Sequence, residues 1–576
     1  MASTKFTQTN SNFALGEVSG ELSGRGDLKT AAFGLSKLEN MDIISSGGIR
    51  RRCGTASIVG ELGENARIVP MKLGNGSEYL LLLENKRIKI FKDGAQTAMV
   101  VSRWSAAHLP KLQIVQMGDS IVFAHPDVIP SVLSFLVNGT WRLVNFNFET
   151  ENGNMRQPWH KFEGSNFPFV VSNITAGGSR SATLTAQDGE NWTPDCMYSD
   201  IRFAGIDFWI TQYVSPREVR VTTNDSKTIP TGTISDWTES AFSDRRGWPR
   251  SAAVYQNRLV LAGNTALPNF LWMSKTGRHY NFDTGTGLDN ESVCASLMGG
   301  SQHSIVSVQS GENLEVLTDL GEWSIKGMPI TPGSLSVRQH TNIGSSAAEY
   351  VPPQRVDGAT IFVSKNAELR ELRLDNLSDS YSTTDLSAVS KHLMTGTRAA
   401  AYHQPTKRLM LVQKDGRIAV LKKDDNLEIL GWSTYGTDGR WMDIAVVGGK
   451  IYTLVERGDE TFLEVFDEDK MTDGADEFAY AHTAAAMPLF SDGAPARLAR
   501  LTKWKARVVD SANLKVRLNG GEALEIPIPE TPGIHDVSAA ALGTCENARI
   551  PLWEISGSEP KPLTILSITI EGRISI

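Results

Sequence analysis

The chain has 576 residues, 40% of them hydrophobic, and a formal net charge of −8. That length exceeds what one hydrophobic core serves, so two or more packed domains are expected; the acidic balance, without long like-charge blocks, argues against a protein that grips nucleic acid by neutralising phosphates. Cys53, Cys196, Cys294 and Cys545 lie far apart with no Cys-x-x-Cys, and no run approaches the roughly 18 apolar residues of a membrane span, so a zinc site, a disulfide framework and a transmembrane anchor all lack a signal.

The opening segment, residues 1–60, alternates short polar and apolar pieces punctuated by glycine: Asn12-Phe-Ala-Leu-Gly-Glu17, Leu22-Ser-Gly-Arg-Gly-Asp27, Gly34-Leu-Ser-Lys-Leu-Glu-Asn40 and Gly47-Gly-Ile-Arg-Arg-Arg-Cys-Gly-Thr55. Arg50-Arg51-Arg52 is its one basic cluster. It reads either as a solvated turn before a strand or as an anchor to an acidic partner, because guanidinium forks pair bidentately with carboxylates.

From residue 61 onward, β-rich runs meet tight turns and then second β-rich runs. Tyr79–Leu83 turns at Asn85-Lys86 into Ile88–Phe91, and Leu112–Met117 turns at Gly118-Asp119 into Ile121–Ala124. The same unit returns at Gln256-Asn257, Asp319-Leu-Gly321, Lys365-Asn366, Lys414-Asp-Gly416, Gly448-Gly449 and Arg457-Gly-Asp459. Later turns lie about 33 to 49 residues apart, close to the length of a four-stranded propeller blade. A mainly β fold with a β-propeller core is expected, since radial repetition leaves only short sheet edges; a pair of β-sandwiches also fits the hairpins.

Residues 149–243 break the repeat with Gly/Ser/Thr-rich stretches and their own strand candidates, Ile201–Phe203, Phe208–Thr211 and Glu218–Thr222, which suggests an inserted small β domain. Asp385–Leu393 is the best helical candidate. The acidic, turn-rich Asp467–Gly474 then precedes a C-terminal β unit with strands at Leu501–Val509, Leu514–Leu518 and Leu563–Glu571.

Catalytic and metal motifs fare poorly. Asp283-Thr-Gly285 has the letters of an aspartic-protease site but occurs once, and reads as a tight glycine turn. Asp469, Asp473 and Gly474 faintly resemble a calcium loop, but Met471 and Tyr480 stand where oxygen ligands belong, so an acidic solvated loop is expected. His125 and His392 read as structural residues. The Arg-Gly-Asp triplets at Arg25 and Arg457 read as turns.

One segment carries a family likeness. Gly247-Trp-Pro-Arg250, with Gln256, Arg258 and Leu259 in the following hairpin, leads to Leu271-Trp-Met-Ser-Lys-Thr-Gly277, which contains Trp272 and Ser274, and then to Asn281-Phe-Asp283. This resembles the central signature of the tail nozzle proteins of short-tailed bacteriophages, also called tail tubular protein B. The opening series through Gly47–Thr55 is similar to the start of that family, although Cys53 stands where many relatives carry proline. Ala124-His-Pro126, Gly321–Ile325 with Ile330-Thr-Pro332, Ser378–Tyr381 with Asp385–Ser387, Gly431-Trp432 and Pro562–Ile568 follow in the family's order.

The resemblance implies a non-enzymatic virion protein of the tail, assembled in the host cytoplasm and lacking cofactors and metals. It implies a homohexamer that extends the DNA ejection channel below portal and adaptor, docks tail fibres or spikes, passes double-stranded DNA without reading its sequence, and approaches the host envelope at its distal tip. On this reading residues 1–60 form an adaptor-contact platform in which Arg25, Arg50, Arg51 and Arg52 sit in a protein interface. Residues 61–148 and 244–466 form the propeller, 149–243 the inserted β domain serving as nozzle tip or fibre dock, and 467–576 the C-terminal β domain. Glu322, Asp424, Asp425, Asp467 and Glu468 are candidates for an acidic channel wall. The alternative is a tail propeller that binds or cleaves polysaccharide through platforms such as Trp272 and Tyr280, with Asp283 and Asp289 as its nearest carboxylates.

Overall fold

The computed structural model describes residues 3–21, 34–163, 167–175, 180–348, 350–486, 490–491, 494–495, 498–511, 513–518, 520–529, 531–540 and 553–575. Among them the chain is β throughout, with only single 3-10 turns and no helix long or apolar enough to cross a membrane.

Each of the eight turns read from the sequence joins two paired antiparallel strands. The chemistry is local. Gln256 and Asn257 adopt φ of +46° and +58°, and Gly448 and Gly449 +59° and +73°; two successive positive φ values give the turn twist that matches twisted strands. The strands flanking these turns belong to six four-stranded sheets and to the first four strands of a nine-stranded sheet, which together make a seven-bladed β-propeller.

In chain order blade I spans residues 67–101, blade II 113–145, blade III 251–296, blade IV 305–339, blade V 354–385 and blade VI 397–435. Blade VII takes three strands from residues 440–467 and its fourth, Gly54–Leu62, from the N-terminal side, with Asp467 opposite Gly54 and Thr461 opposite Leu62. That strand straddles the expected boundary at residue 60. Middle strands such as Arg258–Ala262 are buried at every position, which explains their continuous apolar runs, since both faces of a blade are covered.

Seven hydrophobic clusters lie between successive blades. Leu81 and Leu83 pack against Phe123 and Leu133 between blades I and II, and Met410 and Val412 against Trp441 and Val455 between VI and VII. The last, containing Leu80, Leu82, Leu454 and Leu463, joins VII back to I and closes the ring.

The insert is an eight-stranded antiparallel sheet curled over Phe169, Trp192, Phe203, Phe208 and Trp237, with the Phe203 and Phe208 rings stacked at 4.3 Å. The two termini fold together. Met41–Ile43, Ile49–Arg51 and Ser3–Asn10 join Leu498–Val509, Ile534–Ala540 and Thr564–Ser575 in one sheet. Leu35–Glu39 pairs with His482–Ala486 in a second. Leu38, Met41, Trp504, Val516, Ile555 and Ile565 fill the space between, so the N-terminal platform and C-terminal unit expected separately share one core. A parallel bridge from Glu39 to Thr434 makes the second sheet continuous with blade VI. The helix expected over Asp385–Leu393 is instead the end of a blade V strand followed by a 3-10 turn at Lys391–Leu393: the Ser387 hydroxyl bonds Leu369 N, and Asp385 takes the Ser387 N–H, so local side-chain bonds replace helical ones.

Candidate functional site

Two joints attach the extra domains to the ring. The first gathers around Arg52, which follows the strand Ile49–Arg51 of the terminal sandwich, the two sheets that both ends of the chain build around one core, and precedes the ring-closing strand. Its guanidinium is 1% exposed and uses all five N–H donors. Nε donates to Asn40 Oδ1 at 2.8 Å, Nη1 to Cys53 O at 2.8 Å and Asp473 Oδ1 at 2.9 Å, and Nη2 to Gly436 O at 2.9 Å and Asp473 Oδ2 at 2.6 Å. The Tyr480 ring covers it at 3.6 Å. Burial opposes this charge, yet the Asp473 carboxylate holds the guanidinium above its ordinary pKa. Beside it, Asp42 accepts from Arg408 Nη1 at 2.6 Å and from the Tyr435 hydroxyl, and burial pushes the Cys53 thiol up to about 11. Gly54 is required here because an added Cβ would lie 1.9 Å from the Thr472 carbonyl.

Arg51 and Arg52, expected at an interface with another protein, are therefore corrected to internal residues. Arg51, 2% exposed, donates to the carbonyls of Lys561 at 3.0 Å and Tyr480 at 3.2 Å. The acidic partner of the cluster is the chain's own Asp473, which is buried rather than solvated and has both oxygens on Arg52, so it is no calcium ligand. Arg50 alone is exposed, and Arg25 lies outside the described residues. No group of three or more metal-ligating side chains is placed for an ion among the described residues.

The second joint seats the insert beside blade III, and the signature residues are spread through that blade and along its seams with blade II, blade IV and the insert. Arg258, 2% exposed, has no carboxylate partner: its Nη1 donates to Ser274 O at 2.7 Å and Glu291 O at 2.6 Å, and its Nη2 to Asp289 O at 2.9 Å. Burial pulls its pKa down. Gln256 donates to Gly327 O and accepts from Ile330 N, fastening blade III to blade IV. Ser274 Oγ accepts from Leu259 N at 2.9 Å.

Gly247, at φ +84°, has no room for a Cβ beside Thr265; Trp248 N donates to Pro126 O, and the buried Pro249 leads into Arg250, whose side chain burial holds below its usual pKa. Asn281 reaches Glu149 at 3.0 Å, Phe282 N donates to Arg156 O, and the Arg156 guanidinium pairs with Asp283. The Asp283–Gly285 turn is clasped by Glu291, whose Oε2 accepts from the amides of Thr286, Gly287 and Leu288 at 2.7, 2.7 and 2.9 Å; those bonds hold its carboxyl below the usual range. Sequence reasoning missed Glu291 and placed Asp473 in a solvated loop. The only local signal for Glu291 was the pair of glycines beside it, Gly285 and Gly287.

Several expectations fail on burial. Trp272 lies in the cluster between blades II and III and offers no sugar platform; Tyr280 is half-buried against Phe146, and Asp283 is committed to Arg156. Glu322 is fully buried, accepting from Gly344 N at 3.0 Å, and Asp424 is buried against Lys407 at 2.7 Å, so neither faces a channel. Asp425 and Glu468 are exposed and Asp467 is half-buried.

The propeller axis encloses a chamber of about 380 Å³, lined by inner strands of blades I, II, V, VI and VII and by Tyr350 from the IV–V crossover. It opens into a mouth of about 190 Å³, with which it shares Arg67, Tyr350, Arg398 and Asp443.

No protein-family model and no curated protein matches this chain. Among solved structures it is similar to the crystal structure of the RRP9 WD40 repeats, at 7% identity and a TM-score of 0.37, covering 73% of this chain and 100% of that one. It is also similar to BamB from Moraxella catarrhalis, at 9% identity and a TM-score of 0.31, covering 71% of this chain and 96% of that one. The propeller rests on its own seven sheets.

Proposed function

We propose that this chain is a structural subunit of the tail nozzle of a short-tailed bacteriophage, without catalytic activity, forming a homohexameric ring below portal and adaptor. The observation that carries the reading is the ordered signature from Gly247 to Asp283, whose side chains are consumed in packing and backbone bonds within blade III and at its seams with blades II and IV and the insert, as a motif that serves architecture and not catalysis would be. The 380 Å³ axial chamber is far too small for a duplex, so on this reading the DNA conduit lies between copies. A closed ring then needs two unlike complementary faces on each subunit.

Genome transit is passive in this proposal. A chain of net charge −8 presents a wall that repels phosphate and avoids the counterion-releasing contacts that would stall a moving duplex. The insert is proposed to dock tail fibres or spikes or to approach the host envelope, and the exposed Arg50 to face the adaptor. Particle images of the protein mixed with its adaptor test this: six-fold rings with an axial hole are expected, and single particles under every condition overturn it.

A further inference from the structure

The mouth of the axial chamber has a charge imbalance that the ring's own packing leaves unresolved. Arg67, the first residue of blade I, turns its guanidinium to the wall, where Nη1 donates to Leu109 O at 2.8 Å and Leu112 O at 2.7 Å. Carbonyls hold its plane without cancelling its charge. Arg398, on the inner strand of blade VI, has as its hydrogen-bond partner the Met442 sulfur at 3.5 Å, a weak acceptor. The carboxylate facing both, Asp443 of blade VII, is 6% exposed and already engaged: Oδ2 accepts from Ile68 N at 2.8 Å and Oδ1 from Ile444 N at 2.9 Å. Burial pushes its carboxyl up against the pull of Arg67, which further weakens it as a counter-charge.

Two guanidiniums thus border a partly enclosed space, which Lys414 also lines, with one backbone-tied acid between them. Charge in so confined a place is costly unless it is paired, and a guanidinium fork is shaped for two oxygens of one anion. The remaining walls suit a small ligand: Thr397 and Thr461 supply hydroxyls, and Tyr350 reaches in from the crossover.

We infer that the axial mouth between blades I, VI and VII is a binding site for a small oxyanion, a phosphate or a carboxylate, held by Arg398 and Arg67. The site is independent of the tail reading, since all its lining residues belong to one propeller.

The test uses the full chain and titration calorimetry with sodium phosphate and, separately, sodium succinate, each at ionic strength matched with chloride. Saturable binding of one of them is expected, and which one binds separates phosphate from carboxylate. Arg398→Gln is expected to weaken Kd at least tenfold, while Arg398→Lys, which keeps charge and loses the fork, falls between. Lys450→Gln, in the separate groove between blades VII and I, is expected to leave Kd unchanged. Circular dichroism establishes that each variant folds; should Arg398→Gln not fold, the loss in Arg398→Lys decides. Absence of saturable binding by either anion, equal Kd in the Arg398 variants and the parent, or an equal loss in Lys450→Gln overturns the inference.

Discussion

Two buried arginines, Arg52 where the terminal strands meet the ring and Arg258 inside blade III, are held in opposite ways. Arg52 meets a carboxylate that arrives from 421 residues away, and its joint unites strands from both ends of the chain. Arg258 meets only carbonyls, three of them within 33 residues, and its joint shapes a local turn. An ion pair sealed from water makes each partner indispensable, because removing one strands the other's charge; a carbonyl-solvated arginine leaves neutral acceptors behind when it is lost. The terminal joint is accordingly a latch for the whole ring, and the insert joint a clasp for one blade.

The contrast is sharpest at Asp473. Asp473→Asn leaves Arg52 buried without its counter-charge and is expected to cost about 3–5 kcal/mol in chemical denaturation. Proteolysis of the 467–480 linker should rise with it. A loss under about 1 kcal/mol would erase the difference between the joints. Arg258→Met removes no counter-charge but leaves the carbonyls of Ser274, Glu291 and Asp289 without their donor; about 2–3 kcal/mol is expected, with cleavage appearing around Gly285–Asp289.

A pH titration probes the same contrast, because burial lowers His482 in the sandwich and His125 in blade II to about 4 from 6.5. The unfolded chain binds protons first, so stability is full above about pH 6.5 and falls as pH drops toward 4. His482→Gln should flatten that fall in the sandwich's unfolding and His125→Gln in the ring's, each read as the slope of the thermal midpoint against pH. The smallest effect belongs to the rim of the insert joint. Arg156 and Asp283 are 19% and 22% exposed, and Arg156→Gln is expected to cost under about 1 kcal/mol.

Much of the ring was legible in the chain. Asn257 and Gly448-Gly449 announce their turns because backbone at positive φ favours those residues, and the runs around them announce strands that are covered on both faces. The insert was legible from a change in composition. What sequence could not reveal were the partners of Arg51 and Arg52: three adjacent arginines look alike in one dimension, yet one faces water, one caps carbonyls and one is sealed against Asp473. Trp272 misled for the same reason, since an aromatic in a strand shows the same pattern whether it faces a sugar or the next blade.

The sequence by itself determined the strands, their turns and the repetition of four-stranded units, because these depend on side-chain alternation and backbone preference within about ten residues. Only the tertiary structure decided that Gly54–Leu62 closes blade VII, that the two termini share one core and that Asp473 neutralises Arg52. Those pairings join residues some four hundred positions apart. Nothing local selects such a partner; it is selected by which buried charge and which unpaired edge the completed ring leaves to be satisfied.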